Sequence, residues 1–150
     1  MSEDFEIKRV ASEELHDLRR RVLRSNDPMA DVGDPRDSEL SAEHYAGVLD
    51  GRVVVCASIY PSESPIHPEI TAYQLRYMAA DFAVQGQGLG AQVLNSICES
   101  LKIRGVQEIW ANGRDTALGF YRRLGWELIP GSEHVSPYTQ LPHTVIFKSL

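Results

Sequence analysis

The chain alternates between segments with apolar residues at every second position and segments with apolar residues at every third or fourth position. Phe5 and Ile7 alternate with polar residues, which predicts a first strand. A helix is then predicted from Ser12, its expected N-cap, through an apolar stripe that ends near residue 23. Residues 25–41 are mostly Asp, Pro, Ser and Gly, which predicts an irregular or briefly helical connection.

Four arginines occupy the C-terminal half of that first helix: Arg19, Arg20, Arg21 and Arg24. Cations at a helix C-terminus complement its dipole, so this pattern favours a solvated helix end. Contact with a phosphate is the alternative.

Two β-branched runs, 44–49 and 52–60, predict an antiparallel hairpin, because Asp50-Gly51 between them is a typical two-residue turn. Residues 61–68 contain three prolines and predict a loop, since proline cannot donate to a strand ladder. The long apolar run 70–80 predicts the central strand, which leads directly into a glycine-rich stretch.

That stretch, residues 85–90, has the sequence Gln-Gly-Gln-Gly-Leu-Gly and precedes an amphipathic segment. Leu89, Val93, Ile97 and Leu101 recur every four residues, and Gly105 is placed to end the helix. A glycine loop at a helix start presents unpaired N–H groups and lets an anion approach the backbone. No lysine follows the glycines, which excludes a P-loop.

Two other interpretations of the glycine loop are a tight turn that binds nothing and a dinucleotide site through Gly86-x-Gly88-x-x-Ala91. A dinucleotide site expects a carboxylate after the next strand, where this chain has Asn112. The antiparallel hairpin upstream is also foreign to a doubly wound sheet. Both observations argue against a nicotinamide-dependent oxidoreductase.

The second half predicts a short strand at 107–111, parallel to the central strand through a right-handed crossover. A helix capped by Asp115 or Thr116 and ended by Leu124-Gly125 follows. Strands at 126–129 and 144–148 then flank a flexible loop at 131–142. The predicted fold class is a mixed α/β sheet, antiparallel in its first half, with a central βαβ unit, in one domain spanning 1–150.

Composition narrows the partners and the compartment. A formal net charge of −6 argues against nucleic acid. No run is long enough to span a membrane, and the acidic start Met1-Ser2-Glu3-Asp4 leads into no apolar core of signal-peptide length. Cys56 and Cys98 are isolated in apolar surroundings without metal-ligand spacing, so we expect reduced core thiols, no metal and a cytoplasmic protein.

Two sequence blocks carry a family resemblance. Gln85-x-x-Gly88-x-Gly90 resembles the [RQ]-x-x-G-x-[GA] signature of the GNAT superfamily of N-acetyltransferases. Asn112, followed by the run 117–126 (Ala-Leu-Gly-Phe-Tyr-Arg-Arg-Leu-Gly-Trp), resembles that family's N…A-x-x-F-Y-x-x-x-G-[FW] block. The blocks agree with the family in order and spacing. The resemblance implies a GNAT-like fold with splayed parallel strands and acetyl-CoA as cosubstrate.

The resemblance also implies the residues that bind acetyl-CoA: Met78, Ala79, Ala80, Gln85, Gly86, Gln87, Gly88, Leu89, Gly90, Asn112 and Tyr121. The loop backbone would hold the pyrophosphate and the central strand would pair with the pantetheine arm. The N–H of Met78 or Ala80 would stabilise the oxyanion, and the connection 25–41 would line the acceptor pocket. Asn112 would contact the arm, unless it is a turn residue beside Gly113.

Two catalytic residues are expected from the same comparison. Tyr121 matches the family's general acid, with a core aromatic as the alternative. Many members carry a glutamate base where this chain has Gln74, which cannot accept a proton. We expect His143 to replace it, because the start of the last strand should lie close to Asn112 and its ordinary pKa of about 6.5 suits a base. Proton loss through water to solvent is the alternative.

The sequence thus predicts an acetyl-CoA-dependent N-acetyltransferase that acts on a primary amine, with a small molecule as the expected acceptor. A peptide N-terminus as acceptor and a non-catalytic acyl-CoA sensor are the alternatives. The sequence is compatible with a homodimer and does not identify the acceptor.

Overall fold

A computed structural model describes residues 4–25 and 27–150. Residues 1–3 of the acidic N-terminus and Asn26 of the predicted connection lie outside the described residues. The strands are β1 (Phe5–Arg9), β2 (Glu43–Leu49), β3 (Arg52–Pro61), β4 (Ala72–Ala80), β5 (Glu108–Arg114), β6 (Glu127–Leu128), β7 (His134–Val135) and β8 (Pro142–Ser149). The α-helices are α1 (His16–Leu18), α2 (Leu89–Ile103) and α3 (Leu118–Arg123).

The strands form one mixed sheet in the order β1-β2-β3-β4-β5-β8-β6, and β7 pairs with β8. This confirms the predicted fold class. The chain divides into two compact units, one built from the described residues among 1–60 together with 76–97, the other from 61–75 and 98–150. We call them the first and the second unit.

In the first unit, β1, β2 and β3 are antiparallel, and the predicted hairpin is confirmed. Asp50 and Gly51 connect β2 to β3 with φ angles of 51° and 80°, the left-handed pair that a two-residue turn matching the strand twist requires. Within β2, a Cβ at Gly47 would lie 2.8 Å from the Phe5 ring. Only glycine lets Phe5 cover the sheet there.

The first helical segment consists of a 3₁₀ turn (Ser12–Leu15), α1 and a π-type turn (Arg19–Leu23). Ala11, in an extended conformation, is the N-cap instead of the predicted Ser12, which is buried within the first turn. Leu15 and Leu18 pack in a buried cluster with residues of β2, β3 and β4: Ala46, Cys56 and Ala79. The apolar stripe is therefore buried, as its spacing predicts, whereas the N-cap lies one residue before the predicted one.

The prediction of a solvated arginine cluster is wrong for Arg19, whose side chain is fully buried. Its Nη1 donates to the Val32 carbonyl and to Asp37 Oδ2, each at 2.9 Å, and Nη2 donates to Ser58 Oγ at 2.8 Å. Arg19 follows Leu15 by four residues, so helical spacing turns it inward. The charge of this buried guanidinium is paired with Asp37, although no hydrogen-bond partner is found for its Nε among the described residues.

In the second unit, Ala72–Leu75 of β4 pairs in parallel with Glu108–Ala111 of β5. The predicted parallel pair is confirmed, and pairing ends at Leu75 opposite Ala111 although both strands continue. β5 continues to Arg114 because its last residues pair antiparallel with β8. Asn112 is therefore a strand residue, and its interpretation as a turn residue is wrong.

Two further predictions for the second unit need correction. Neither Asp115 nor Thr116 caps α3, because a 3₁₀ turn (Asp115–Ala117) with Arg114 at its N-cap position precedes the helix. The Asp115 carboxylate instead accepts a hydrogen bond from Thr144 Oγ1 at 3.0 Å. The predicted flexible loop at 131–142 contains β7, which pairs with the start of β8.

Helix α2 confirms the predicted periodicity, because Val93, Ile97 and Leu101 are completely buried. It ends before Gly105, whose φ of 83° is the left-handed conformation expected after a helix. In the part of the chain that the structure describes, no helix is both long enough and apolar enough to cross a bilayer. Cys56 and Cys98 are buried free thiols, as predicted, and burial raises their pKa values to about 12 and about 11.

Candidate functional site

The glycine loop joins β4 to α2 in the first unit. A 3₁₀ turn (Phe82–Val84) follows β4, and the Asp81 carboxylate accepts the Ala83 N–H at 3.1 Å. The Gln85 side-chain amide donates to the Ala80 carbonyl at 3.1 Å and so braces the loop against the strand end. Gly86 and Gly88 have φ angles of 83° and 79°, and a Cβ on either would meet no atom within 4 Å. The loop is thus shaped by left-handed glycines and is open on the side where side chains would stand.

The loop backbone provides hydrogen-bond donors. Among residues 4–25 and 27–150, no acceptor is found for the N–H groups of Gln85, Gly86, Gly88 and Gly90. The first three of these residues are exposed, and all four stand at the start of the 15-residue helix α2. Unpaired N–H groups and the positive end of the helix dipole together favour an anion.

The central strand β4 has an irregularity directly before Met78. Tyr77 has a φ of 56°, a left-handed conformation that costs a non-glycine residue roughly 1–3 kcal/mol. Its ring lies under two guanidiniums, with Arg19 Cζ at 4.0 Å and Arg76 Cζ at 4.6 Å from the ring centre. These cation–π contacts hold Tyr77 in place. The backbone consequently turns between Arg76 and Met78, and Met78 and Ala80 are half-buried while Ala79 is buried.

An arginine–aspartate cluster, defined here as Arg19, Arg36, Arg76, Asp34 and Asp37, surrounds that irregularity in the first unit. Asp34 accepts hydrogen bonds from Arg36 Nε at 3.1 Å and from Arg76 Nη1 at 2.7 Å. Burial alone would raise the pKa of Asp37, but hydrogen bonds from Arg19 and Tyr60 outweigh it and lower that pKa to about 2. Burial would also raise the pKa of Asp34. The hydrogen bonds from Arg36 outweigh burial, and the pKa of Asp34 is lowered.

The second unit contains Tyr121, in α3. The residue is buried, and its ring packs edge-on against Phe120 at 5.1 Å and tilted against Trp126 at 5.2 Å. Burial raises the pKa of the phenol, so it is protonated at neutral pH. No hydrogen-bond partner for its hydroxyl is found among the described residues. Tyr121 is therefore both a packed core residue and a protonated phenol, so its two interpretations, core aromatic and general acid, are compatible.

Asn112 and His143 lie on paired strands of the second unit, but not opposite each other. Asn112 is exposed and lies opposite Val145, while His143 lies opposite Arg114. The sequence placed His143 close to Asn112; the register moves it two positions along, on the same face of the sheet. It is buried, and its Nδ1 donates to the Leu141 carbonyl at 2.8 Å. This bond leaves Nε2 as the nitrogen that can accept a proton.

Burial, together with the nearby charge of Arg114 and that of His134, lowers the pKa of His143 below 6.5. The imidazole is therefore neutral at pH 7. Gln74 occupies the position where many GNAT members carry a glutamate base. It is buried in the second unit and lies opposite Trp110 of β5.

The predicted site residues thus divide between the units. The first unit brings together the loop 85–90 and the strand end Met78–Ala80, whereas Asn112, Tyr121 and His143 belong to the second. Sequence reasoning missed the arginine–aspartate cluster and Tyr77. The described residues contain no group of three His, Cys, Asp or Glu side chains that could hold a metal ion.

Comparison with known proteins gives a consistent picture. A family model described as an acetyltransferase (GNAT) domain matches residues 41–128. YitI, an uncharacterised N-acetyltransferase of Bacillus subtilis strain 168, is 31% identical over 144 residues, which cover 91% of this chain and 97% of that protein.

Solved structures share the fold. An acetyltransferase of the GNAT family from Staphylococcus aureus Mu50 has a TM-score of 0.73 at 14% identity, over 98% of this chain and 99% of that one. An aminoglycoside 6′-N-acetyltransferase complexed with coenzyme A has a TM-score of 0.71 at 14% identity, over 96% of each chain. At such identities a structural match shows the fold alone. The family model covers more than half of the chain and the Bacillus relative nearly all of it, so the chain belongs to the GNAT family of N-acetyltransferases.

Proposed function

We propose that this protein transfers the acetyl group of acetyl-CoA to the primary amine of a small molecule. The observation that carries the proposal is that no acceptor is found, among the described residues, for the N–H groups of Gln85, Gly86, Gly88 and Gly90 at the start of α2. A pyrophosphate has the charge and the acceptor oxygens to satisfy such donors. The coenzyme A complex of a structural neighbour gives further support for this class of ligand.

In this proposal, acetyl-CoA supplies an activated thioester. The protein's residues bind it, stabilise the negative charge that develops and transfer protons. The loop 85–90 holds the pyrophosphate, and the backbone of Met78–Ala80 pairs with the pantetheine arm as an added strand would. The N–H of Met78 or Ala80 stabilises the carbonyl oxygen as negative charge develops on it. Asn112, whose side chain is exposed, contributes its amide to the arm.

Proton transfer is assigned to Tyr121 and His143. Tyr121 has its proton at neutral pH because burial raises its pKa, and it donates that proton to the departing sulfur. His143 is neutral at pH 7 and receives the proton of the attacking amine through Nε2. Two buried free thiols, Cys56 and Cys98, favour a reducing compartment such as the cytoplasm.

Thermal unfolding with candidate ligands tests the proposed function. At 100 times Kd, a ligand of the native state adds about 2.7 kcal/mol, which for this chain length means a Tm rise of about 5–10 °C. We expect acetyl-CoA to give this rise and NADPH to give none. An equal response to NADPH, or no response to acetyl-CoA, would contradict the proposal. Release of free CoA thiol with a panel of amines then separates an enzyme from a sensor, which binds acetyl-CoA without turnover.

The role of His143 predicts a pH dependence. A base must be neutral, so kcat/KM should fall as the pH drops through the pKa of His143, which burial places below 6.5. His143→Ala should remove this acidic limb and lower the plateau by about 10²-fold. The control is His134→Ala, because His134 is an exposed histidine whose ring lies 6.0 Å from that of His143. This variant should keep the acidic limb and the plateau, with the limb moved toward higher pH because the charge of His134 no longer lowers the pKa of His143. An acidic limb that persists at the same pH with kcat/KM intact would exclude His143 as the base.

A further inference from the structure

In the arginine–aspartate cluster, the carboxylates are more deeply buried than the guanidiniums of Arg36 and Arg76. The carboxylates face inward, with side-chain exposures of 2% for Asp34 and 9% for Asp37. Arg36 and Arg76 face outward, each with 28% of its side chain exposed. Solvent therefore meets guanidinium groups, and the carboxylates serve to hold them.

The cluster also has an excess of positive charge. Both carboxylates are ionised, because hydrogen bonds from arginines keep their pKa values low. Three guanidiniums, including the buried one of Arg19, face two carboxylates, so one net positive charge remains. This is a local cationic surface on a chain whose formal net charge is −6.

The two exposed guanidiniums are fixed in orientation. Arg36 stacks on Tyr60, with Cζ 4.2 Å from the ring centre, and Arg76 stacks on Tyr77 at 4.6 Å. A guanidinium is a planar fork that matches a carboxylate in two parallel hydrogen bonds, and Arg36 already pairs with Asp34 in this way through Nε and Nη2, at 3.1 Å and 3.0 Å. Holding the fork in place reduces the entropy lost when an anion binds.

The position of Arg76 connects this cationic surface with the reaction. Arg76 precedes Met78 by two residues on β4, and only the left-handed Tyr77 lies between them. In the proposed function, the N–H of Met78 or Ala80 binds the oxygen of the carbonyl that the amine attacks. An acceptor whose amine reaches that carbonyl therefore has its neighbouring atoms within reach of the Arg76 side chain.

We propose that the acceptor is a primary amine that also carries a carboxylate, as an amino acid does, and that Arg76 and Arg36 bind this carboxylate. The inference rests on the proposed function. A C–N bond forms between the amine and the acetyl carbon, and the C–S bond breaks. The amine loses one proton and the sulfur gains one, giving an N-acetylated acid and free CoA. A peptide N-terminus has an amide in place of this carboxylate, so the inference opposes that alternative acceptor.

The first test compares acceptors that differ only in this charge. Thiol release is measured with acetyl-CoA and each of the common amino acids, beside the corresponding amino acid carboxamide. A charge-assisted pair of hydrogen bonds should give the preferred amino acid a kcat/KM about 10- to 100-fold above that of its amide. Equal rates for acid and amide would overturn the inference.

The second test removes one guanidinium. Arg76→Met keeps an unbranched side chain and leaves Asp34 paired with Arg36, so the variant should fold. We expect KM for the amino acid to rise at least about 10-fold, while KM for the amide and the affinity for acetyl-CoA change little, because Arg19 still covers the Tyr77 ring. Arg76→Lys should recover part of the loss, because it restores the charge without the fork.

Arg9→Met is the matched control, since Arg9 also lies over a tyrosine ring, at 5.9 Å from Tyr45, and pairs with buried Glu43. It should leave both acceptors unaffected. If Arg76→Met weakens acid and amide equally, Arg76 is only structural and the inference is overturned. It is also overturned if acetyl-CoA binds but no amino acid is acetylated. Failure of the wild-type protein to bind acetyl-CoA would instead contradict the proposed function.

Discussion

Gly88→Glu should abolish acetyl-CoA binding while the protein stays folded. A Cβ at Gly88 would meet nothing within 4 Å, so the new side chain fits, and the left-handed φ of 79° costs about 1–2 kcal/mol. The carboxylate, however, would stand beside the N–H groups that hold the pyrophosphate. Two like charges 4 Å apart near a protein surface repel by about 4 kcal/mol, which predicts a loss of affinity of about 10³-fold. Isothermal titration calorimetry measures it directly.

Two controls separate charge from backbone strain. Gly88→Ala introduces the strain without the charge and should keep most of the affinity. Gly131→Glu introduces the same charge at another left-handed glycine with open space around it, in the second unit, with a φ of 80°. It should leave binding unchanged. A folded Gly88→Glu protein with wild-type affinity would show that the loop does not hold the pyrophosphate.

Tyr121→Phe should lower kcat by about 10²-fold, the usual contribution of a general acid, without changing the affinity for acetyl-CoA. The phenyl ring keeps its packing against Phe120 and Trp126. No partner for the hydroxyl is found in the described part of the chain, so its removal leaves no buried group unpaired, and Tm should change little. Single-turnover measurements of thiol release show whether the loss lies in the chemical step.

Tyr73→Phe is the matched control, because Tyr73 is a half-buried tyrosine of the same unit that has no proposed part in the reaction. An unchanged kcat in Tyr121→Phe would mean that another group, or water, protonates the sulfur. A large loss of stability in place of activity would favour the core interpretation of Tyr121.

The elements that the sequence predicted well are those fixed by local signals. The Asp50-Gly51 hairpin, the glycine loop and the stripe of α2 depend on residues a few positions apart, and turn chemistry and periodicity report such relations directly. The extent of β5 was underestimated because Asn112 stays in the strand through pairing with β8, more than 30 positions away. Asn favours turns locally, and tertiary pairing overrides that preference here.

The arginine–aspartate cluster is formed by residues far apart in the sequence, and no local sequence signal shows which of them are in contact. The left-handed Tyr77 is held by Arg19, 58 positions earlier, and no local preference of tyrosine announces that conformation. One signal was present: Arg19 falls four residues after Leu15, on the apolar stripe. A charged residue on the buried face of a helix requires a partner, and the aspartates of the following connection were the available ones.

The buried hydrogen bonds of Arg19 also bear on how an acceptor is selected. This side chain joins the first helical segment to Val32 and Asp37 of the connection and to Ser58 of β3. Swinging the connection outward would strand a charge in the interior, at about 3–5 kcal/mol, which keeps the open form below about 1% of the population. The connection is therefore a fixed template, not a gate. Acceptors would be sorted by their fit to a preformed surface, and the free and acceptor-bound forms of the first unit would superpose closely.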